Sequence, residues 1–392
     1  MFQMEKFNYL IIGLMTLNIV YSLYYIISRP LLGVDLYGSW IILYVASAEY
    51  TPSLLSFILG AIGDVYGRRR ILLLGSLGFI PLLFIFTVSD WRLILVSIFF
   101  YSLFTSIVSV IALSCLIEDR PRIGTKYSYA GLSMGIGWGF GSSLAWPLYL
   151  KIGRYGFAVM LSTLYIVSML MILKGYIGKE REASRGLTIG FQHVYSGLSR
   201  FIPVLLFSSI GLAIGSNVNA LLLDSKLRDL FSVFNTGFES RIFYGFFCGT
   251  LPVLLGSPLR LIIGKLVDKG YEKTMFTASI LTYLILYLIL PHTQPVIFII
   301  LWMLPVYPFY DTSIYAIISR STSRYEATAT GFLSTINSLA GLSLLLLNST
   351  VPINNPAAYS IQILLFLGVP IMLTAMSTRR IKPLNTLSVI HN

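Results

Sequence analysis

The sequence predicts an all-α membrane protein of twelve transmembrane helices, arranged as two pseudo-symmetric bundles of six. Three observations predict a membrane protein: 56% of the 392 residues are hydrophobic, only 11% are charged, and the mean hydropathy is +0.80. The number of helices and their arrangement in two bundles are predicted from the apolar runs and from a repeated loop motif. Soluble domains carry roughly 25% charged residues, so a soluble fold could not bury this much apolar surface. The chain is therefore expected to lie in a lipid bilayer.

The apolar runs are long enough to cross a bilayer, which takes about 20 residues for each helix. Six runs precede a polar stretch and six follow it, near residues 7–27, 38–61, 71–89, 92–117, 127–150 and 156–173, and then near 201–223, 241–263, 274–291, 295–318, 327–349 and 357–377. The first run has no small-residue cleavage site after it and is predicted to be a retained helix. We therefore expect an N-terminal bundle at 1–178, a linker at 179–200, a C-terminal bundle at 201–378 and a tail at 379–392.

The basic residues between the runs predict the orientation of the chain. Three-quarters of the 28 Lys and Arg residues lie in segments that share a side with the N-terminus, including Arg68, Arg69 and Arg70. Cytoplasmic loops carry an excess of such residues, so we expect both termini and the linker on the cytoplasmic side of a cell membrane. The same short basic segments, without a nucleic-acid motif, argue against nucleic-acid binding despite the net charge of +12.

The strongest motif lies between the second and third runs, where residues 60–70 read GAIGDVYGRRR. It resembles the signature loop of the major facilitator superfamily, G-x-L-x-D-x-x-G-R-R/K, with Ile62 in place of the leucine. A weaker copy starts at Gly264 and includes Asp268, after the eighth run, but its second glycine and its basic residues are displaced. Two copies at equivalent places predict an internal duplication, as in the two six-helix halves of that family.

These two loops supply candidate gating residues, namely Gly60, Asp64, Gly67, Arg68 and Arg69 in the first copy and Gly264 and Asp268 in the second. A helix N-terminus presents unpaired N–H groups and a partial positive charge. Asp64 is therefore expected to cap the eleventh helix near Glu326, and Asp268 to cap the fifth helix near Lys126. Gly60 would let the two backbones approach each other. The resemblance supports a gate; the alternative is that the arginines only anchor the topology.

Two carboxylates fall inside apolar runs, Glu49 in the second and Asp311 in the tenth. Ionisable side chains within a span are costly and usually functional. Burial disfavours the charged form of a carboxylate, which suits proton uptake and release, so both are candidates for proton coupling. A structural hydrogen bond or a buried charge pair is the alternative. No Lys or Arg falls in the middle of a run, with Arg29 the nearest, which favours a neutral or cationic substrate.

The resemblance implies that helices 1, 4, 7 and 10 line a central cavity. Polar residues on those helices, together with one from helix 11, are the substrate-cavity candidates: Asn18, Tyr21, Tyr25, Ser106, Ser109, Asn217, Asn219, Tyr307, Tyr310 and Asn337. Each of them could instead make a packing contact or a helix–helix hydrogen bond. The fifth helix has glycines at 131, 135, 137, 139 and 141, which predict tight helix packing.

The residues and the resemblance together predict a secondary transporter that moves a small neutral or cationic solute by alternating access. Proton coupling is a hypothesis, and the expected partners are the solute, protons and lipid. We expect a monomer without a cofactor. A metal site is not expected, because Cys115 and Cys248 are not spaced as ligands. A membrane sensor that keeps the fold without transport is the alternative. An enzyme is not expected: the G-x-S-x-G at Gly131 needs a base, and all three histidines lie outside the predicted spans.

Overall fold

A computed structural model describes residues 2–38, 40–117, 122–176, 186–231, 243–322, 325–350 and 356–376. Among these residues the chain is helical, and the described part contains no β-strand. Nine described stretches are long and apolar enough to cross a membrane. Two of them, Ile123–Lys174 and Leu251–His292, are each long enough to cross twice, and Glu326–Thr350 adds a further long helix. This arrangement is consistent with the twelve spans that the sequence predicts.

The N-terminal half contains six helices. They are α1 (Phe2–Pro30), α2 (Ile41–Tyr66), α3 (Arg68–Thr87), α4 (Trp91–Ile117), and α5 (123–152) and α6 (154–174), which together form the run Ile123–Lys174. Gly153 separates α5 from α6 because its φ of 70° is a left-handed conformation that breaks the helix. Pro52 precedes a short interruption of α2 at residues 54–55, since proline removes a helical hydrogen bond.

The C-terminal half follows a linker helix, Leu187–Leu198, and contains six more helices. They are α7 (Ile202–Phe231), α8 (243–266), α9 (Glu272–Ile289), α10 (Pro295–Ser321), α11 (Glu326–Thr350) and α12 (Pro356–Met376). The helix α10 is interrupted at residues 304–306, beside Pro305 and Pro308. The predicted tail 379–392 and the start of the predicted linker lie outside the described residues.

Each half has a buried apolar core of its own. One core is formed almost entirely by α1 to α6 and includes Leu14, Phe86 and Tyr165, and the other is formed by the linker helix and α7 to α12 and includes Phe276 and Ile363. Lipid tails are as apolar as leucine, so close van der Waals packing rather than the exclusion of water holds such helices together. These two large cores are separate, and a small third cluster, made of Ile123, Ile263, Val267 and Ala316, joins α5 to the C-terminal half.

The halves meet along two helix pairs, α2 with α11 and α5 with α8, where glycines bring the backbones together. A Cβ added at Gly60 would overlap the Ala327 carbonyl oxygen of α11, and one added at Gly331 would overlap the Ser56 carbonyl oxygen of α2. The tight packing predicted for α5 is present, since a Cβ at Gly131 would overlap the side chain of Arg260 in α8. Small residues therefore set the distance between the halves.

The linker helix lies against both halves. Its buried face is formed by Gly190, Val194 and Leu198, which recur at the four-residue spacing of an amphipathic helix. The Phe191 ring lies 4.6 Å, centroid to centroid, from the ring of Phe57 in α2. Gly190 packs on Tyr325, which directly precedes α11. The linker helix thus contacts α2 of one half and the start of α11 of the other.

Candidate functional site

The loops that carry Asp64 and Asp268 lie on one face of the bundle, which we call the Asp64 face. Asp64, at the end of α2, accepts hydrogen bonds from the Thr328 backbone N–H (2.8 Å) and the Thr328 hydroxyl (2.7 Å). The backbone N–H of Ala327 lies 3.4 Å from the same carboxylate. These donors belong to the first turn of α11, so the cap expected from the sequence is present and joins the two halves.

Asp268 makes the equivalent contact on the other helix pair. Its carboxylate accepts hydrogen bonds from the backbone N–H groups of Gly124 (2.7 Å) and Thr125 (3.0 Å) and from the Thr125 hydroxyl (2.5 Å). These groups form the first turn of α5. Gly264 allows this approach, because a Cβ there would overlap the Ser128 hydroxyl. Each half therefore caps one helix of the other half.

Arg68 strengthens the first of these contacts in a way that the motif alone did not indicate. Its buried guanidinium lies 2.6 Å from Asp64 and 2.8 Å from Glu326 of α11, so the ion pairs extend from one half to the other. Gly67, with φ of 103°, makes the turn between α2 and α3. Arg69 is exposed. In the second copy Glu272 pairs instead with Arg320 of its own half.

A cavity of about 350 Å³ lies between the halves. Its lining comes from α1, α2, α4, α5, α10 and α11, and includes Asn18, Tyr21, Tyr25, Arg29, Glu49, Tyr50, Ser53, Ser102, Thr105, Ser106, Ser109, Met134, Tyr315, Thr330, Ser334, Asn337 and Ser338. Hydroxyl groups and tyrosine rings dominate this surface. On the side of the Asp64 face, α2 packs closely on α11, and the rings of Tyr127 and Tyr315 stack with their centroids 4.3 Å apart.

Six of the ten cavity candidates from the sequence lie in this lining, namely Asn18, Tyr21, Tyr25, Ser106, Ser109 and Asn337. The expectation is wrong for Asn219, whose amide donates to the Tyr359 hydroxyl of α12 at 2.9 Å, within the core of the C-terminal half. It is also wrong for Tyr310, which is buried and stacks on Phe276 of α9. Asn217 donates to the Ala213 carbonyl of its own helix. The amide NH2 groups of both asparagines therefore find acceptors inside the C-terminal half, although the buried Oδ1 of Asn219 has no partner among the described residues.

Glu49 lies in the cavity wall as one partner of an ion pair. Its Oε2 atom accepts a hydrogen bond from Arg29 Nη2 of α1 at 2.8 Å, and its Oε1 atom accepts one from the Tyr24 hydroxyl at 2.8 Å. The face of the Tyr25 ring covers the Arg29 guanidinium at 4.4 Å. Arg29 thus contributes a cation to the cavity. The sequence interpretation had placed this arginine at the outer end of the first helix.

Asp311 is also in an ion pair, with Arg260 of α8 at 3.0 Å. Arg260 packs against Gly131 of α5 and lies 4.8 Å from the Tyr307 ring centroid. The eighth apolar run was expected to end near residue 263, but α8 continues to Leu266, so Arg260 is buried inside the helix. A neutral or cationic substrate was expected because no Lys or Arg was predicted in the middle of an apolar run, and the buried Arg260 removes that reason. Asp311 and Tyr307 both lie outside the lining of the cavity.

Comparison with known proteins is consistent with this geometry. The sequence model of the Major Facilitator Superfamily matches residues 4–344. No curated protein matches the chain in sequence. The fold is similar to the crystal structure of the human organic anion transporter MFSD10 (TETRAN), with a TM-score of 0.74 and 16% identity over 95% of this chain and 99% of that one. It is also similar to the transporter FucP in its outward conformation, with a TM-score of 0.68 and 14% identity over 97% and 100% of the two chains.

Proposed function

The chain belongs to the Major Facilitator Superfamily, and on that premise we propose that it is a secondary transporter that moves a small solute by alternating access. One observation carries the proposal: the cavity lies between two halves that have separate cores. A solute bound there contacts both halves. Rocking of one half against the other would therefore expose it first to one side of the membrane and then to the other.

The contacts on the Asp64 face support a gate at that face. Asp64 and Asp268 each hold the first turn of a helix in the opposite half through hydrogen bonds and helix-end charge. Such contacts are made in the closed state and lost when the halves separate. Breaking these hydrogen bonds costs a moderate free energy, because water replaces the lost partners. With the N-terminus on the cytoplasmic side, as the distribution of Lys and Arg predicts, this gate closes the cytoplasmic side.

Proton coupling through Glu49 is part of the proposal. Glu49 lines the cavity, and its charge is held by Arg29 and Tyr24. A proton on Glu49 would remove the ion pair and release Arg29, so protonation and solute binding would act on the same group. Asp311 is the weaker candidate, since its pairing with Arg260 lies outside the cavity lining and fits a structural ion pair. The argument for a neutral or cationic solute no longer stands, because Arg29 faces the cavity.

A membrane sensor that keeps the fold without transport is the alternative. The fold neighbours do not favour it, because two of them are described as an organic anion transporter and a fucose:proton symporter. Their substrates differ from each other, and at 14–16% identity neither substrate transfers to this chain. The cavity volume of about 350 Å³, at the small end of ligand sites, favours a small solute.

Uptake by proteoliposomes tests the proposal. The purified chain would be reconstituted and a panel of labelled small solutes offered with an inward pH gradient, using protein-free vesicles as the blank. We expect at least one solute to accumulate, and Glu49→Gln to abolish accumulation while leaving exchange of internal for external solute. Asp90→Asn is the matched control, since Asp90 is an exposed loop carboxylate outside the cavity. Gradient-driven uptake by Glu49→Gln at the wild-type rate would exclude coupling through this residue.

A further inference from the structure

The two members of the ion pair in the cavity wall, Arg29 and Glu49, differ in the hydrogen-bonding groups that they leave free for a ligand. Both oxygens of Glu49 are occupied, one by Tyr24 and one by Arg29. The guanidinium of Arg29 has five N–H donors and gives one of its Nη2 hydrogens to Glu49. Its buried Nε has no hydrogen-bond partner among the described residues. Arg29 also shares a hydrogen bond with Tyr50, and each Glu49 oxygen can accept one further hydrogen bond. Within the described part of the chain, the Nε of Arg29 is nevertheless the one polar side-chain atom of the pair that is buried without a partner, so the unmet need within the pair is for an acceptor beside the cation.

Exposure points in the same direction. The side chain of Arg29 is 22% exposed and that of Glu49 is 11% exposed, so the cation presents more of its surface to the cavity. Tyr25 covers one face of the guanidinium, so a ligand would have to approach along its edge. The edge of a guanidinium matches a carboxylate in a bidentate geometry. Around it the lining supplies hydroxyl donors, among them Tyr21, Tyr50 and Ser53.

From these contacts we infer that the cavity binds a small carboxylate, which displaces Glu49 from Arg29 while Glu49 takes up a proton. This inference rests on the proposed function and names its substrate class. Binding of an anion beside an ionised Glu49 would place two negative charges on one guanidinium. A proton on Glu49 removes that repulsion and keeps the total charge of the wall and ligand at zero, as it is in the empty site.

Once Arg29 has turned to the ligand, the titratable groups left around Glu49 among the described residues are tyrosines, so no cation there holds its negative charge. Charged and titratable side chains near Glu49 are Arg29, Tyr21 and Tyr24 on α1, Tyr50 on α2 and Tyr101 on α4. Arg29 is the only group in this set that is charged besides Glu49. Once it pairs with the ligand, a neutral carboxylic acid can keep a hydrogen bond to the Tyr24 hydroxyl. Release of the carboxylate on the other side of the membrane returns Arg29 to Glu49 and expels the proton.

A shape-matched set of probes that differ in charge tests this inference on the purified full chain. Benzoate, benzamide and benzamidinium have nearly the same planar shape and differ in charge, and acetate and lactate extend the set to smaller carboxylates. Titration calorimetry at neutral pH would give the affinity of each. We expect carboxylates to bind at least about tenfold more tightly than benzamide or benzamidinium, the size of effect expected of hydrogen bonds to a charged group.

Repeating the titration in buffers of different ionisation enthalpy counts the protons taken up. We expect an uptake of about one proton for each carboxylate bound by the wild type and of about zero by Glu49→Gln, because linkage requires the group that gains the proton to be present. Glu49→Gln should also bind carboxylates more tightly, since no anion competes for Arg29. Arg29→Gln/Glu49→Gln removes both charges together, leaves no buried unpaired ion, and should lose carboxylate binding.

The outcomes separate this inference from the proposed function. Equal or tighter binding of benzamidinium or benzamide would overturn the inference, and so would the absence of binding of all three carboxylates to both the wild type and Glu49→Gln. Neither result depends on transport, because binding is measured in detergent. Uptake of an uncharged or cationic solute in proteoliposomes would then leave the proposed transport standing. Carboxylate binding without any uptake would support the site and contradict the transport.

Discussion

Replacing Asp268 by asparagine should shift the molecule from a closed to an open Asp64 face. Asp268 accepts three hydrogen bonds from the first turn of α5, from the N–H groups of Gly124 and Thr125 and from the Thr125 hydroxyl. Asparagine keeps one acceptor oxygen and loses the charge that complements the helix end. Hydrogen bonds to charged groups contribute ~1.5–3 kcal/mol each, so we expect a loss of ~2–3 kcal/mol from the closed state. That loss changes the ratio of closed to open molecules by roughly 30- to 150-fold.

The distance between spin labels measures this shift. Tyr66 and Tyr271 are exposed on the Asp64 face and belong to different halves, so labels at these positions report on their separation. The labels would be attached to cysteines introduced at these two positions, in a variant whose native Cys115 and Cys248 have been replaced. Asp268→Asn should add a population with a longer distance. Asp90→Asn is the control, because Asp90 accepts the Arg92 N–H at 2.8 Å within one half. An unchanged distance distribution in Asp268→Asn would refute the gate.

Three further predictions follow from the same contacts. Gly60→Leu should prevent α2 from closing on α11, because even a Cβ overlaps the Ala327 carbonyl oxygen, and should lower the melting temperature in detergent and open the Asp64 face. Phe191→Ala removes a ring contact worth ~0.5–1.5 kcal/mol from the linker helix and should open the same face less than Asp268→Asn does, as measured with the same labels. Asp311→Asn leaves Arg260 buried without its partner, so thermal unfolding should start at a lower temperature.

Each of these has a result that would count against it. A Gly60→Leu protein with the wild-type melting temperature and a closed face would mean that the α2 and α11 contact is not tight in the membrane. A Phe191→Ala shift as large as that of Asp268→Asn would assign the main closing contact to the linker helix. For Asp311→Asn, unchanged stability together with loss of gradient-driven uptake would move the coupling role from Glu49 to Asp311.

The sequence predicts the twelve helices from local patterns, whereas the two cap contacts join residues far apart in the chain and were predicted from the loop motif and its family resemblance. A bilayer requires apolar runs of fixed length. The caps follow from where an aspartate lies relative to a helix end, and the loop motif fixes that position for Asp64 and Asp268. These features need no knowledge of how one helix is rotated against the next.

The lining of the cavity is harder to predict, because it depends on the rotation of each helix about its axis. A helix that is apolar on all sides has no amphipathic stripe to show which face is buried. Asn219 and Tyr310 illustrate this: both are polar residues on helices expected to line the cavity, yet they face the core of the C-terminal half. The partners of Glu49 and Asp311 were missed because Arg29 and Arg260 lie near the ends of apolar runs, where arginine is also a common topology residue.

Access to the cavity from each side of the membrane tests the central claim of alternating access most directly. Ser109 lines the cavity and is exposed there, and serine to cysteine is a small change, so Ser109→Cys in a cysteine-free background gives one reactive group. Vesicles of both orientations would be treated with a membrane-impermeant thiol reagent. We predict labelling from both sides, with Asp268→Asn increasing labelling from the Asp64 face and decreasing it from the opposite face. Labelling from one side only, unchanged by Asp268→Asn, would contradict alternating access and favour a sensor of fixed shape.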